Sequence, residues 1–172
     1  MKPLHHPHVL ALGLLLSLLP GVAQAAQKAS PDKPAQAPLP PLTVAHWVNG
    51  APVDVCAQKG NVVLVHFWSV VNGPSRALMP RLAALYQKHN ARGLLVVGVT
   101  EDTRARVEKF AENHKIAYLL AIDSKGATHD AYGVEFLPTV WLVGRDGKLL
   151  WRGYAEKFTD QHVLDALGPA KP

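Results

Sequence analysis

The 172 residues include one cysteine, Cys56, which excludes an internal disulfide, a two-cysteine redox centre and a zinc site built from several cysteines. A content of 48% hydrophobic and 18% charged residues is that of one globular domain with a real core, not of a disordered chain or a multispan membrane protein. The net charge is +5, but the basic residues are scattered and form no Lys/Arg-rich block. That pattern reads as a solvated basic surface rather than a nucleic-acid footprint.

Residues 1–25 read as a signal peptide. Lys2 supplies a basic start, Val9 to Leu19 is apolar or small, Pro20-Gly21 breaks the run, and Ala23-Gln24-Ala25 fits the small-x-small cleavage pattern. The run falls well short of the roughly twenty residues of a spanning helix, so cleavage after Ala25 and no stable membrane span are expected. His5, His6 and His8 resemble a metal-binding tract but lie in the segment to be removed. Export places the chain in an oxidising compartment such as a periplasm. Residues 26–41 are rich in Pro, Ala and polar side chains and read as a semi-extended linker.

A folded domain is expected over residues 42–168, followed by a tail at 169–172. LTVAHWV and APVDV flank Asn49-Gly50, which predicts an N-terminal hairpin. NVVLVHFW is a nearly continuous apolar run, as expected of a central strand covered on both faces. Pro74 suits a helix start, and Leu78, Leu82, Leu85 and Tyr86 recur at helical spacing up to Gly93, with Pro80 as a kink. LLVVGVT is a second strand, and Thr103 to His114 an amphipathic helix with Val107 and Phe110 inward. AYLLAID is a third strand, and Ser124 is placed to cap a brief helix toward Tyr132. PTVWLVG and KLLWRGY form a hairpin about Arg145-Asp146-Gly147, and a helix over Thr159 to Leu167 closes the domain. This order describes a three-layer α/β/α sandwich with a mixed central sheet.

NVVLVHFWSVVNGPSRALMPRLAALYQKH, GLLVVGVTED and AYGVEFLPTVWLVGRDGKLLWRGY together resemble the thioredoxin fold, specifically the exported TlpA-type thiol-disulfide reductases. The resemblance runs from about Leu42 to Leu167. The family pattern after Phe-Trp is Trp-Cys-x-Pro-Cys, and the corresponding stretch here is Val71-Asn72-Gly73-Pro74-Ser75. Both family cysteines are thus replaced, the attacking one by Asn72 and the resolving one by Ser75. Disulfide exchange needs a thiolate to attack and a second thiol to resolve, and neither an amide nor a serine hydroxyl supplies them. The family's acidic residue on the first helical turn is replaced by Leu78.

The resemblance implies that Pro138 is the family's cis-proline, preceded by Leu137. Asn72, Gly73, Pro74, Ser75, Leu137 and Pro138 would then line a groove for an extended peptide or another exported protein, held by short β-pairing without turnover. The alternative is that Asn72 or Ser75 caps the helix and Pro138 only shapes the fold. Cys56 lies outside the family loop. It reads as a partly buried small residue, as the link of a disulfide-joined dimer or mixed disulfide, or as a monothiol catalyst. His46, His66, His89, His114, His129 and His162 form no metal-ligand pair and no Ser-His-Asp set, so no metal or cofactor is expected. His66 reads as a core histidine and the others as surface residues. The leading expectation is a redox-inactive binding or assembly module; the competing one is an oxidoreductase or antioxidant-type protein using Cys56 or a partner's thiols.

Overall fold

The computed structural model describes residues 39–169; the signal segment, most of the linker and the end of the tail lie outside the described residues. Valine-rich segments supply the sheet. The strands are β1 (His46–Val48), β2 (Val62–Phe67), β3 (Leu94–Thr100), β4 (Leu119–Ile122), β5 (Thr139–Val143) and β6 (Leu149–Tyr154), in the order β1-β4-β3-β2-β5-β6. β2, β3 and β4 run parallel, and β1, β5 and β6 join antiparallel to their neighbours. Every residue of β2 is buried, as its unbroken apolar run requires.

The two faces of the sheet carry different cover. Leu64, Val96, Leu120 and Leu142 pack against α1 (Gly73–His89), α2 (Arg104–Asn113) and α4 (Asp160–Leu167) through Leu78, Leu82, Val107, Phe110 and Val163. Val63, Val65, Phe67, Val97, Val99 and Trp141 pack against Tyr132, at the end of α3 (Ala127–Ala131), and against Leu39 and Val55. Full burial contributes about 1.5–3 kcal/mol for each such apolar side chain.

The N-terminal hairpin does not form. The chain turns at Asn49, in the left-handed region at φ 69°, but β1 pairs with β4, and residues 51–54 form no strand before a short 3-10 turn at Val55–Ala57. Asn49 Nδ2 donates to the carbonyls of Ile116 and Tyr118, which fastens the turn to the approach to β4. Folded structure also begins before Leu42: Leu39 is buried, and the Tyr132 hydroxyl donates to the Pro40 carbonyl. The cap of α3 differs too. Asp123, not the exposed Ser124, accepts from the backbone of Thr128 and His129 at 2.9 Å each.

The expected β5–β6 hairpin is present, with Gly147 at φ 80° in its turn. At the same end of the sheet, the Arg145 guanidinium donates to the carbonyls of Gly60, Arg92 and Leu167, tying the hairpin turn to three other segments.

Candidate functional site

Strand register brings four connections to one end of the sheet. Phe67 pairs with Val99 on one side and with Thr139 on the other, and Thr100 pairs with Ile122. The loop after β2, the turn after β3, the start of the β4–α3 connection and the Leu137-Pro138 segment before β5 therefore lie together. This is the carboxyl end of the parallel strands, where open α/β sheets place their crevices. The Leu137-Pro138 bond is cis.

The loop after β2 is fixed from below. Asp102 Oδ2 accepts from the Val70 amide at 2.8 Å and lies 3.1 Å from the Thr100 hydroxyl, while Arg76 donates to the Val70 carbonyl at 3.0 Å. Asn72 then caps α1: its Oδ1 accepts from the Ser75 amide at 2.8 Å, and Pro74 occupies the first turn. Ser75 is fully buried and its hydroxyl has no hydrogen-bond partner, so it is not available to a docking chain as the groove expectation requires. Gly73 and Pro74 are exposed, Pro138 is buried and Leu137 is half-buried.

Beside this loop is a cleft of about 260 Å³ lined by Trp68, Ser69, Thr100, Glu101, Asp102, His129 and Leu137. Only Leu137 among these belongs to the expected groove. His129 was expected at the surface, yet it is buried: its Nδ1 lies 2.8 Å from Asp123 Oδ2 and its ring meets Phe67 edge-on. A buried carboxylate oxygen at that distance favours a proton on Nδ1. The signal for this arrangement was the Asp123-to-His129 spacing, legible only once α3 is known to begin between them. Two large apolar side chains stand exposed on the segments bounding this end, Val71 at 66% on the loop and Phe136 at 63% just before Leu137. Phe136 rests edge-on against Tyr154.

Cys56 is remote. It sits in the 3-10 turn and lines a small crevice with Val63, Val143 and Gly147, at the start of β2, whereas Trp68 and Asn72 follow its end. Five strand steps from Val63 to Trp68 span roughly 17 Å. The thiol donates to the Leu39 carbonyl at 3.2 Å, and desolvation together with the Asp54 carboxylate pushes its pKa up. It therefore lacks the thiolate-stabilising surroundings of a reactive cysteine. Among the described residues, no group of three or more His, Cys, Asp and Glu side chains has the arrangement of a metal site, and no helix is long and apolar enough to cross a membrane.

The AhpC/TSA family model matches residues 35–152. Thiol-disulfide oxidoreductase ResA of Bacillus thuringiensis subsp. konkukian is 29% identical over 115 residues, 66% of this chain and 66% of ResA, so the chain spans just under two thirds of that relative. Sporulation thiol-disulfide oxidoreductase A of Bacillus subtilis is 25% identical over 146 residues, 83% of each protein. A solved structure described as a thiol:disulfide interchange protein DsbE from Chlorobium tepidum superposes with a TM-score of 0.64 at 30% identity, covering 81% of this chain and 99% of the other. With the mixed sheet, the cis proline and the crevice beside them, these likenesses place the chain in the AhpC/TSA family, within the thioredoxin-fold branch of TlpA-type thiol-disulfide oxidoreductases.

Proposed function

We propose that this chain is an exported, redox-inactive member of its family that binds an extended segment of another exported protein without exchanging disulfides. The observation that carries this reading is the separation of thiol from cleft. The loop beside the cis proline offers Asn72, whose side chain is committed to capping α1, and Ser75, which is buried. The only thiol in the chain, Cys56, lies at the opposite end of β2. Exchange requires attack by a thiolate and release by a second thiol, and the cleft supplies neither.

The binding half of the proposal rests on the apolar side chains around that loop. Exposed Val71 and Phe136, with half-buried Leu137, give an extended partner apolar contacts beside a segment that can pair by backbone hydrogen bonds. Export is supported by the basic start, short apolar run and Ala-Gln-Ala pattern of residues 1–25. Capture from the exported fraction tests the reading: wild type retains a partner, and Val71→Lys with Phe136→Glu releases it while the fold, followed by circular dichroism, stays intact. Turnover of a disulfide substrate by wild type that disappears in Cys56→Ser would instead establish the oxidoreductase reading.

A further inference from the structure

The helix-covered face of the sheet contains a second polar feature, separate from the cleft. His66 Nδ1 and Nε2, Trp68 Nε1 and the Tyr118 hydroxyl are all buried without a hydrogen-bond partner, and the three residues are fully inaccessible. They adjoin one another: the His66 ring centroid is 6.5 Å from that of Trp68 and 5.5 Å from that of Tyr118. Between them on the neighbouring strand is Gly98, paired in register with His66 on β2 and with Leu120 on β4.

The glycine makes the convergence possible. A Cβ on Gly98 would fall 2.6 Å from His66 Nε2, 2.8 Å from Leu120 Cδ2 and 3.0 Å from Trp68 Nε1, too close for any other residue without displacing these side chains. Two ring nitrogens thus lean over one backbone carbon without bonding to each other. Indole Nε1 can only donate, a neutral imidazole offers one donor and one acceptor, and a phenol can do either. Buried groups of this kind are almost always satisfied by protein or by ordered water, and a water needs two to four polar partners. The unpartnered atoms of His66, Trp68 and Tyr118 include no carboxylate or ammonium group, so an ion is a poor match.

We infer that the core over Gly98 holds an ordered water bridging Trp68 Nε1 and His66 Nε2. The water oxygen accepts from the indole N–H, and a water O–H donates to the imidazole Nε2. Because Trp68 also lines the cleft, this hydration site supports the residue from which the Ser69 to Asn72 loop departs. The inference is independent of what the cleft binds.

A crystal structure of the mature chain at a resolution that shows ordered solvent is the direct test. The expected result is a solvent peak at hydrogen-bonding distance, about 2.7–3.2 Å, from Trp68 Nε1 and His66 Nε2. A direct bond between the two rings, or no peak, overturns the inference. In solution, magnetisation transfer from water to the Trp68 indole proton of wild type is expected despite its burial, with the signal assigned through Trp68→Phe. Loss of the transfer in His66→Phe supports the bridge. Absence of transfer in wild type, or transfer unchanged in His66→Phe, overturns it.

Discussion

The two ends of β2 separate properties that disulfide exchange needs in one place. One end has the crevice, the cis proline, the helix start and exposed apolar side chains, but no thiol. The other has the thiol, on an exposed residue, but desolvation and the Asp54 carboxylate push its pKa up, and its sulfur is turned to a backbone carbonyl. The difference teaches that a thioredoxin-type scaffold can keep its site architecture with no thiol in the site. The loop is held by Asp102, Asn72 and Arg76, none of which depends on a sulfur atom.

The largest expected effect comes from putting chemistry back at the cleft end. Asn72→Cys with Ser75→Cys should take disulfide-substrate reduction from background to clear turnover, while wild type and Cys56→Ser both remain at background. Failure of the double variant, with its fold retained, would show that the thiol-free scaffold is no longer shaped for exchange.

Next comes Asp123, whose carboxylate serves two α3 amides and the His129 ring. Asp123→Ala should cost about 3 kcal/mol, because three buried groups lose their shared hydrogen-bond partner. Urea unfolding reads this directly, and a loss under about 1 kcal/mol would mean that solvent replaces the carboxylate.

Acidification probes the core between the two ends. Burial lowers the His66 pKa from its usual 6.5 to about 3, so the folded ring stays neutral while the unfolded ring takes a proton. The unfolded state then binds more protons between those values, and this contribution makes stability fall as pH drops from about 6.5 toward 3, by up to about 1.4 kcal/mol per pH unit. His66→Phe should flatten that part of the profile in denaturation series at successive pH values; an unchanged slope assigns it to other groups.

Smaller effects should mark the helix cap and the isolated thiol. Asn72→Ala should cost about 1 kcal/mol, and Asn72→Asp should recover most of it, as expected for a cap. Cys56→Ser should change stability by no more than about 0.5 kcal/mol. A larger loss at Cys56 would make its contact with Leu39 a structural anchor and sharpen the contrast between the ends.

Local pattern carried the central elements because their signals are strong and short-range. The apolar run of β2, the Pro74 helix start and the Arg145-Asp146-Gly147 turn each state their own conformation. The pairing of β1 is not legible locally, because Asn49-Gly50 between two apolar stretches is a hairpin signal, whereas the true partner of β1 lies some seventy residues on, as in the Trp47–Ala121 pairing. Pro52 already weakened the second stretch as a strand. The cis-proline loop was legible by resemblance, but the cleft was not. Glu101, Asp102 and His129 come from separate connections, and only the register of β2, β3 and β4 brings them beside Ser69. His89 was likewise placed at the surface, although the end of α1 buries it.

The guanidinium of Arg145 has a consequence for how the molecule opens. It bonds at once to the carbonyls preceding β2, preceding β3 and ending α4, while Arg92 reaches the Gly168 carbonyl at 2.6 Å. Detaching the C-terminal helix therefore also disturbs the hairpin turn and the Asn90–Gly93 turn. Amide hydrogens in these three places should share one opening free energy, so the end farthest from the cleft exchanges as a single cooperative unit instead of fraying from its terminus.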